Sequence, residues 1–120
     1  MDSKLEELKA KLKESWSRQT SEDPKNWTPA NPAWGQCAVT ALFVHDLFGG
    51  EIMKVRVSNY KEDHYYNILA SGEEADFTKD HFNKEPPILE NPKKISPEKL
   101  RKSISKRYFE FSLKMAQKNF

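Results

Sequence analysis

The chain is poor in cysteine and in glycine, with one and four among 120 residues. A single cysteine excludes an internal disulfide framework and any zinc site built from several thiolates. No apolar run approaches the roughly 20 residues of a membrane span. The opening stretch, MDSKLEELKAKLKESW, is charged and lacks an apolar centre, so it does not read as a secretory signal. The expected compartment is therefore the cytoplasm. Internal repeats, low-complexity segments and a nucleotide-binding glycine loop are also missing. The length suits one domain spanning 1–120 and no more.

Charge is plentiful and unevenly placed. Residues 1–30 carry six basic and six acidic side chains, residues 31–85 five and nine, and residues 86–120 nine and three. The balances are therefore 0, −4 and +6, an acidic middle and a basic end. A run of this kind reads first as a solvated helix face, and second as a contact for an acidic partner or for the chain's own middle. No nucleic-acid-binding module accompanies it, so nucleic acid is not the expected partner.

Apolar spacing predicts helices at both ends, about 3–18 and 97–118. Leu5, Leu8, Leu12 and Trp16 form one stripe, and Leu100, Ile104, Tyr108, Phe111 and Met115 another. Ser96 and Pro97 open the second helix as cap and first residue. Residues 19–34 read as a loop with Pro24, Pro29 and Pro32, pinned by Trp27 and Trp34. Residues 37–48 are apolar around nearly the whole circumference, which predicts a buried helix stopped at Gly49. Short strands are predicted at 51–57, 64–69 and 75–78, joined by hairpin chemistry at 70–73. Thr78 is expected to cap a single helical turn. A proline-rich link at 83–95 would let the last helix dock on its own core or on a partner protein.

Cys37 opens the buried helix. A thiolate there faces unpaired backbone N–H groups and the positive end of the helix dipole, which favours the ionised nucleophile. The same N–H groups suit an oxyanion formed during acyl transfer. Gly35 permits a tight turn and a close approach to the sulfur. His64 begins a strand and Asp76 lies on the next. With a hairpin loop of odd length they share a face, and an even loop would separate them. In the favourable register Asp76 orients His64, and His64 serves Cys37, the logic of a nucleophile–base–orienter triad. Each residue also has a plainer reading: a packing thiol, a strand-end histidine, a turn-capping aspartate.

The run Gly35-Gln36-Cys37-Ala38-Val39-Thr40-Ala41-Leu42, with Asp46 and Gly49-Gly50-Glu51-Ile52, resembles the YunG-like family of small bacterial proteins. So does His64-Tyr65-Tyr66-Asn67, followed by Gly72, Glu74, Asp76, Thr78 and Phe82. The resemblance covers about residues 27–82 and leaves out the terminal helices. It implies an α+β, papain-like cysteine-hydrolase fold, a central helix on a small antiparallel sheet. It places the nucleophile at Cys37, the base at His64 and the orienting acid at Asp76, and implies no substrate. The family pattern often has Trp at the place of Tyr66 and Gln at that of His45. The first departure alters pocket shape, and the second leaves the triad untouched.

Gln36 and Asn31 are candidate oxyanion donors. Gln36 adjoins the sulfur, and Asn31 precedes it by six positions, where papain-like proteases carry a glutamine. Trp34, Tyr66 and Asn67 are candidate pocket residues. A metal set drawn from Cys37, His45, His64, Asp76 and His81 has no supporting ligand spacing, and His45 lies about two helical turns from Cys37. The expected activity is thiol acyl transfer on a peptide or amide-bearing substrate, with no cofactor, no metal and no membrane. A catalytically silent binding module of the same fold is the alternative, and an interaction protein recruiting a partner through its terminal helices is a third.

Overall fold

The computed structural model describes residues 3–120. Helix α1 (Ser3–Ser15) buries Leu5, Leu8 and Leu12, and Trp16 just beyond it is buried too. A 3-10 turn (Arg18–Thr20) and the proline-bearing loop lead to α2 (Cys37–Phe48). Every residue of α2 from Cys37 to Val44 is buried, as its all-round apolar composition requires. The Gly49 N–H closes the helix on the His45 carbonyl at 2.8 Å, with φ of 71°.

Four antiparallel strands follow: β1 (Glu51–Val57), β2 (Glu62–Ile68), β3 (Glu74–Ala75) and β4 (Leu89–Ile95), in the sheet order β3-β2-β1-β4. The first hairpin pairs Glu51 with Ile68 and Val57 with Glu62, so β2 begins two residues earlier than the predicted strand. Both faces of β1 are covered. Ile52 joins the main core with Leu8, Leu12, Leu42 and Phe111. Val55 and Val57 are buried outside that cluster, beside His64 and Glu62 with which they pair.

Four expectations are corrected. The predicted strand at 75–78 is only Glu74–Ala75, because Asp76 turns its carboxylate back onto the Thr78 N–H at 3.3 Å and ends the ladder. The 3-10 turn Lys79–His81 follows, and the Thr78 hydroxyl turns back to Asp76 instead of capping it. Part of the presumed proline-rich link is β4, an edge strand. Pro92 is tolerated there because an edge residue needs no second ladder, and Asn91 takes φ of 55° where the register with β1 shifts.

The C-terminal helix is two helices, α3 (Pro97–Ser103) and α4 (Ser105–Ala116), broken at Ile104 with φ −122° and ψ 20°. Ser96 caps α3, accepting from Lys99 N–H at 3.3 Å. Asp46 of α2 holds both sides of the break. Its carboxylate takes two bonds from Arg101, at 3.0 and 2.7 Å, and one from the Tyr108 hydroxyl at 2.5 Å. Phe111 and Met115 reach the core that α1 and α2 share, so the last helix docks on its own chain. Its outer side leaves Phe109 and Leu113 exposed. Among the described residues no helix is long and apolar enough to cross a membrane.

Candidate functional site

Strand β3 pairs only with Asn67 and Ile68, so no strand covers β2 from Glu62 to Tyr66 on that edge. The chain wraps around this edge. Trp34 stacks on His81, which lies against Glu62 on one face of β2. Asn67 points to the other face and donates to the Ala41 carbonyl of α2 at 2.9 Å. Cys37 stands on the crossing between Trp34 and Ala41, as the first residue of α2, and is 5% exposed.

His64 is 3% exposed, and its Nε2 lies 2.7 Å from Asp76 Oδ2. The connection from β2 to β3 runs from 69 to 73, five residues and therefore odd, so Asp76 comes back on the His64 face. Asp76 occupies Nε2, and Cys37 neighbours the same ring closely enough to act on its protonation. Burial alone would push the imidazole pKa down. The hydrogen bonds to Asp76 and Cys37, with the charges of both, override it and raise the value to about 10. Phe82 closes one side of the ring edge-on at 4.9 Å, and Tyr66 lies beside it at 6.4 Å between centroids. The Tyr66 phenol is pushed up by burial and by the carboxylates of Glu74 and Asp76.

The other candidates are spread around this centre. Gln36 is fully buried, its Oε1 accepting from Thr20 Oγ1 at 2.7 Å and its Nε2 donating to the Ser17 carbonyl at 2.8 Å. Both ends of that amide are engaged in anchoring the segment after α1. Asn31 donates to the His81 carbonyl at 3.4 Å, in a cleft with Trp34 and Asn83. Trp34 gives its indole N–H to Asp23 at 3.1 Å. Among the described residues no three His, Cys, Asp or Glu side chains converge as metal ligands would. Sequence reasoning weighed His81 only as a metal ligand, and missed Glu62 and the Asp46 clamp. The one available signal was alternation, which puts Glu62 on the same face as His64.

The fold is thus an α+β architecture with four α-helices among the described residues and a four-stranded antiparallel sheet, and it carries a buried histidine bonded to an aspartate, with a cysteine opening the central helix. The chain belongs to the YunG family, whose model, described as YunG protein, matches residues 4–119. That match takes in the terminal helices, which the residue-level resemblance left out. The uncharacterized protein YunG of Bacillus subtilis (strain 168) is 45% identical over 78 residues, 65% of this chain. The matched part spans 63% of that relative's length. No solved structure matches the chain.

Proposed function

We propose that the chain is a cysteine-dependent acyl-transfer enzyme of papain-like type, acting on a peptide or another amide-bearing substrate. The observation that carries this reading is the His64 Nε2–Asp76 Oδ2 bond of 2.7 Å, with Cys37 at the start of α2 acting on the same ring. His64 already holds the proton, so Cys37 Sγ attacks the carbonyl carbon as the thiolate of a thiolate–imidazolium pair. The imidazolium returns the proton to the leaving amine as the C–N bond breaks. Water, deprotonated by His64, then releases the acid from the thioester and restores the thiolate–imidazolium pair, giving peptidase, amidase or deamidase chemistry; an amine acceptor gives transfer. Asp76 keeps the ring in one orientation throughout. These steps call on no cofactor, and the compartment we assign is the cytoplasm.

A second reading has its own observation. Cys37 is nearly covered, and a catalytically silent binding module would carry such a thiol as packing.

Alkylation by iodoacetamide separates the two. In the enzyme, Cys37 labels rapidly well below pH 8, and His64→Ala removes that advantage. Ordinary thiol titration in both proteins would establish the silent module.

A further inference from the structure

His81 is the second buried histidine, 3% exposed, and the acyl-transfer steps do not use it. Its Nδ1 accepts from the Gly35 N–H at 3.1 Å, and its Nε2 lies 3.0 Å from Glu62 Oε1. A ring nitrogen that accepts carries no proton, so the proton sits on Nε2 and is donated to Glu62. The ring lies flat on Trp34, centroids 4.4 Å apart and 12° between planes, with Phe82 edge-on at 4.8 Å. Gly35 is held at its other polar group too, its carbonyl accepting from Glu22 N–H at 2.9 Å. At φ of 71°, a Cβ on Gly35 would run into Ser21 Oγ and the Glu22 backbone nitrogen. The backbone entering α2 is therefore clamped two residues before the thiol, and the clamp ends on β2, the strand that carries His64.

We propose that His81 is a positioning residue for Cys37. Through Nδ1 it holds the Gly35 peptide, and with it the first turn of α2, where the sulfur meets His64; Glu62 fixes the ring's tautomer. This rests on the reading of Cys37 as a nucleophile. A displacement of about 1 Å at a reacting group costs on the order of a hundredfold in rate, which makes such a clamp consequential.

The test compares wild type, His81→Leu and His81→Gln, with alkylation of Cys37 by iodoacetamide at neutral pH and hydrogen exchange of the Gly35 amide as readouts. Loss of the acceptor in His81→Leu slows labelling about tenfold and speeds Gly35 exchange about tenfold, the equivalent of one hydrogen bond. His81→Gln offers a carbonyl to Gly35 and an amide to Glu62, and returns both rates to within about threefold of wild type. Fast wild-type labelling that His81→Leu leaves unchanged, or that His81→Gln fails to restore, overturns the proposal and leaves the nucleophile reading standing. Wild-type labelling no faster than that of a free thiol overturns the nucleophile reading itself, and the proposal with it. Should His81→Leu not fold, the nitrogen-15 spectrum of the wild-type ring decides. An unprotonated Nδ1 with a Gln variant at wild-type rates supports the clamp, and a protonated Nδ1 overturns it.

Discussion

Asp76 lies 2.7 Å from His64 Nε2 although it stands just past the last residue of β3. The pairing of Asn67 with Ala75 fixes this, because it returns the chain in the register that puts position 76 on the face of position 64. A carboxylate so placed lets a nearly inaccessible imidazole keep its proton.

The imidazole value of about 10 lies above the ordinary 6.5, so the folded state binds this proton more tightly than the unfolded chain. The stabilisation is complete below about 6.5 and is lost as pH rises toward about 10. Asp76→Asn therefore destabilises most near pH 6, by about 1.5–3 kcal/mol, and progressively less toward about pH 9.5. Urea unfolding of both proteins at the two pH values checks this. An equal difference at both would contradict it.

The Asp46 clamp titrates in the opposite sense. Burial would raise its carboxyl, but the bonds from Arg101 and Tyr108 hold it below the usual range. Its contribution is present above about pH 3.9 and is lost as pH falls through the folded value. Asp46→Asn is expected to cost about 1–3 kcal/mol at neutral pH, and Tyr108→Phe about 0.5–1.5 kcal/mol. Acid titration of thermal stability should show the Asp46→Asn difference shrinking below about pH 3.

Gly35 and Gly72 offer a matched pair. Both have positive φ, 71° and 91°, but a Cβ at Gly72 meets nothing within 4 Å. Gly72→Ala should carry only the backbone cost of about 1–2 kcal/mol. Gly35→Ala adds the collision with Ser21 and Glu22, and its melting temperature should fall further than that of Gly72→Ala. Equal losses would mean that the loop at Ser21 yields freely.

Gln36→Leu removes a buried amide and strands the Thr20 hydroxyl and the Ser17 carbonyl. The expected loss is about 1–3 kcal/mol of stability. Because the amide faces those two groups, the alkylation rate of Cys37 in the folded protein should stay near that of wild type. A much slower rate would assign Gln36 a direct part at the sulfur.

What could be read from the residues alone was whatever period or local chemistry encodes. The all-apolar run 37–48 encodes a buried helix, the stripe of Leu5, Leu8 and Leu12 an amphipathic one, and the alternation in Glu51–Val57 a strand, and each stands where expected. Only the span of β1 followed, however. Ile52 is buried as well as Val55 and Val57, and Met53 is half-buried, since the strand is covered on both faces. The parity of the loop at 69–73 decided whether His64 and Asp76 could meet, and composition does not encode parity. β4 stayed hidden because Pro92 and Asn91 carry turn signals, which an edge strand accommodates once β1 is beside it. His81 and Gly35 lie 46 positions apart, and no local pattern reports a bond between them.

The last strand of the sheet has a use beyond pairing with β1. A straight outer strand presents free backbone groups to any neighbour in solution and so templates further strands. Leu89–Ile95 denies that opportunity: Pro92 has no N–H to offer, Asn91 twists the backbone left-handed, and Lys93 and Lys94 would set like charges against a second copy. The sheet is blunted on this side, which disfavours edge-to-edge pairing between copies of the chain.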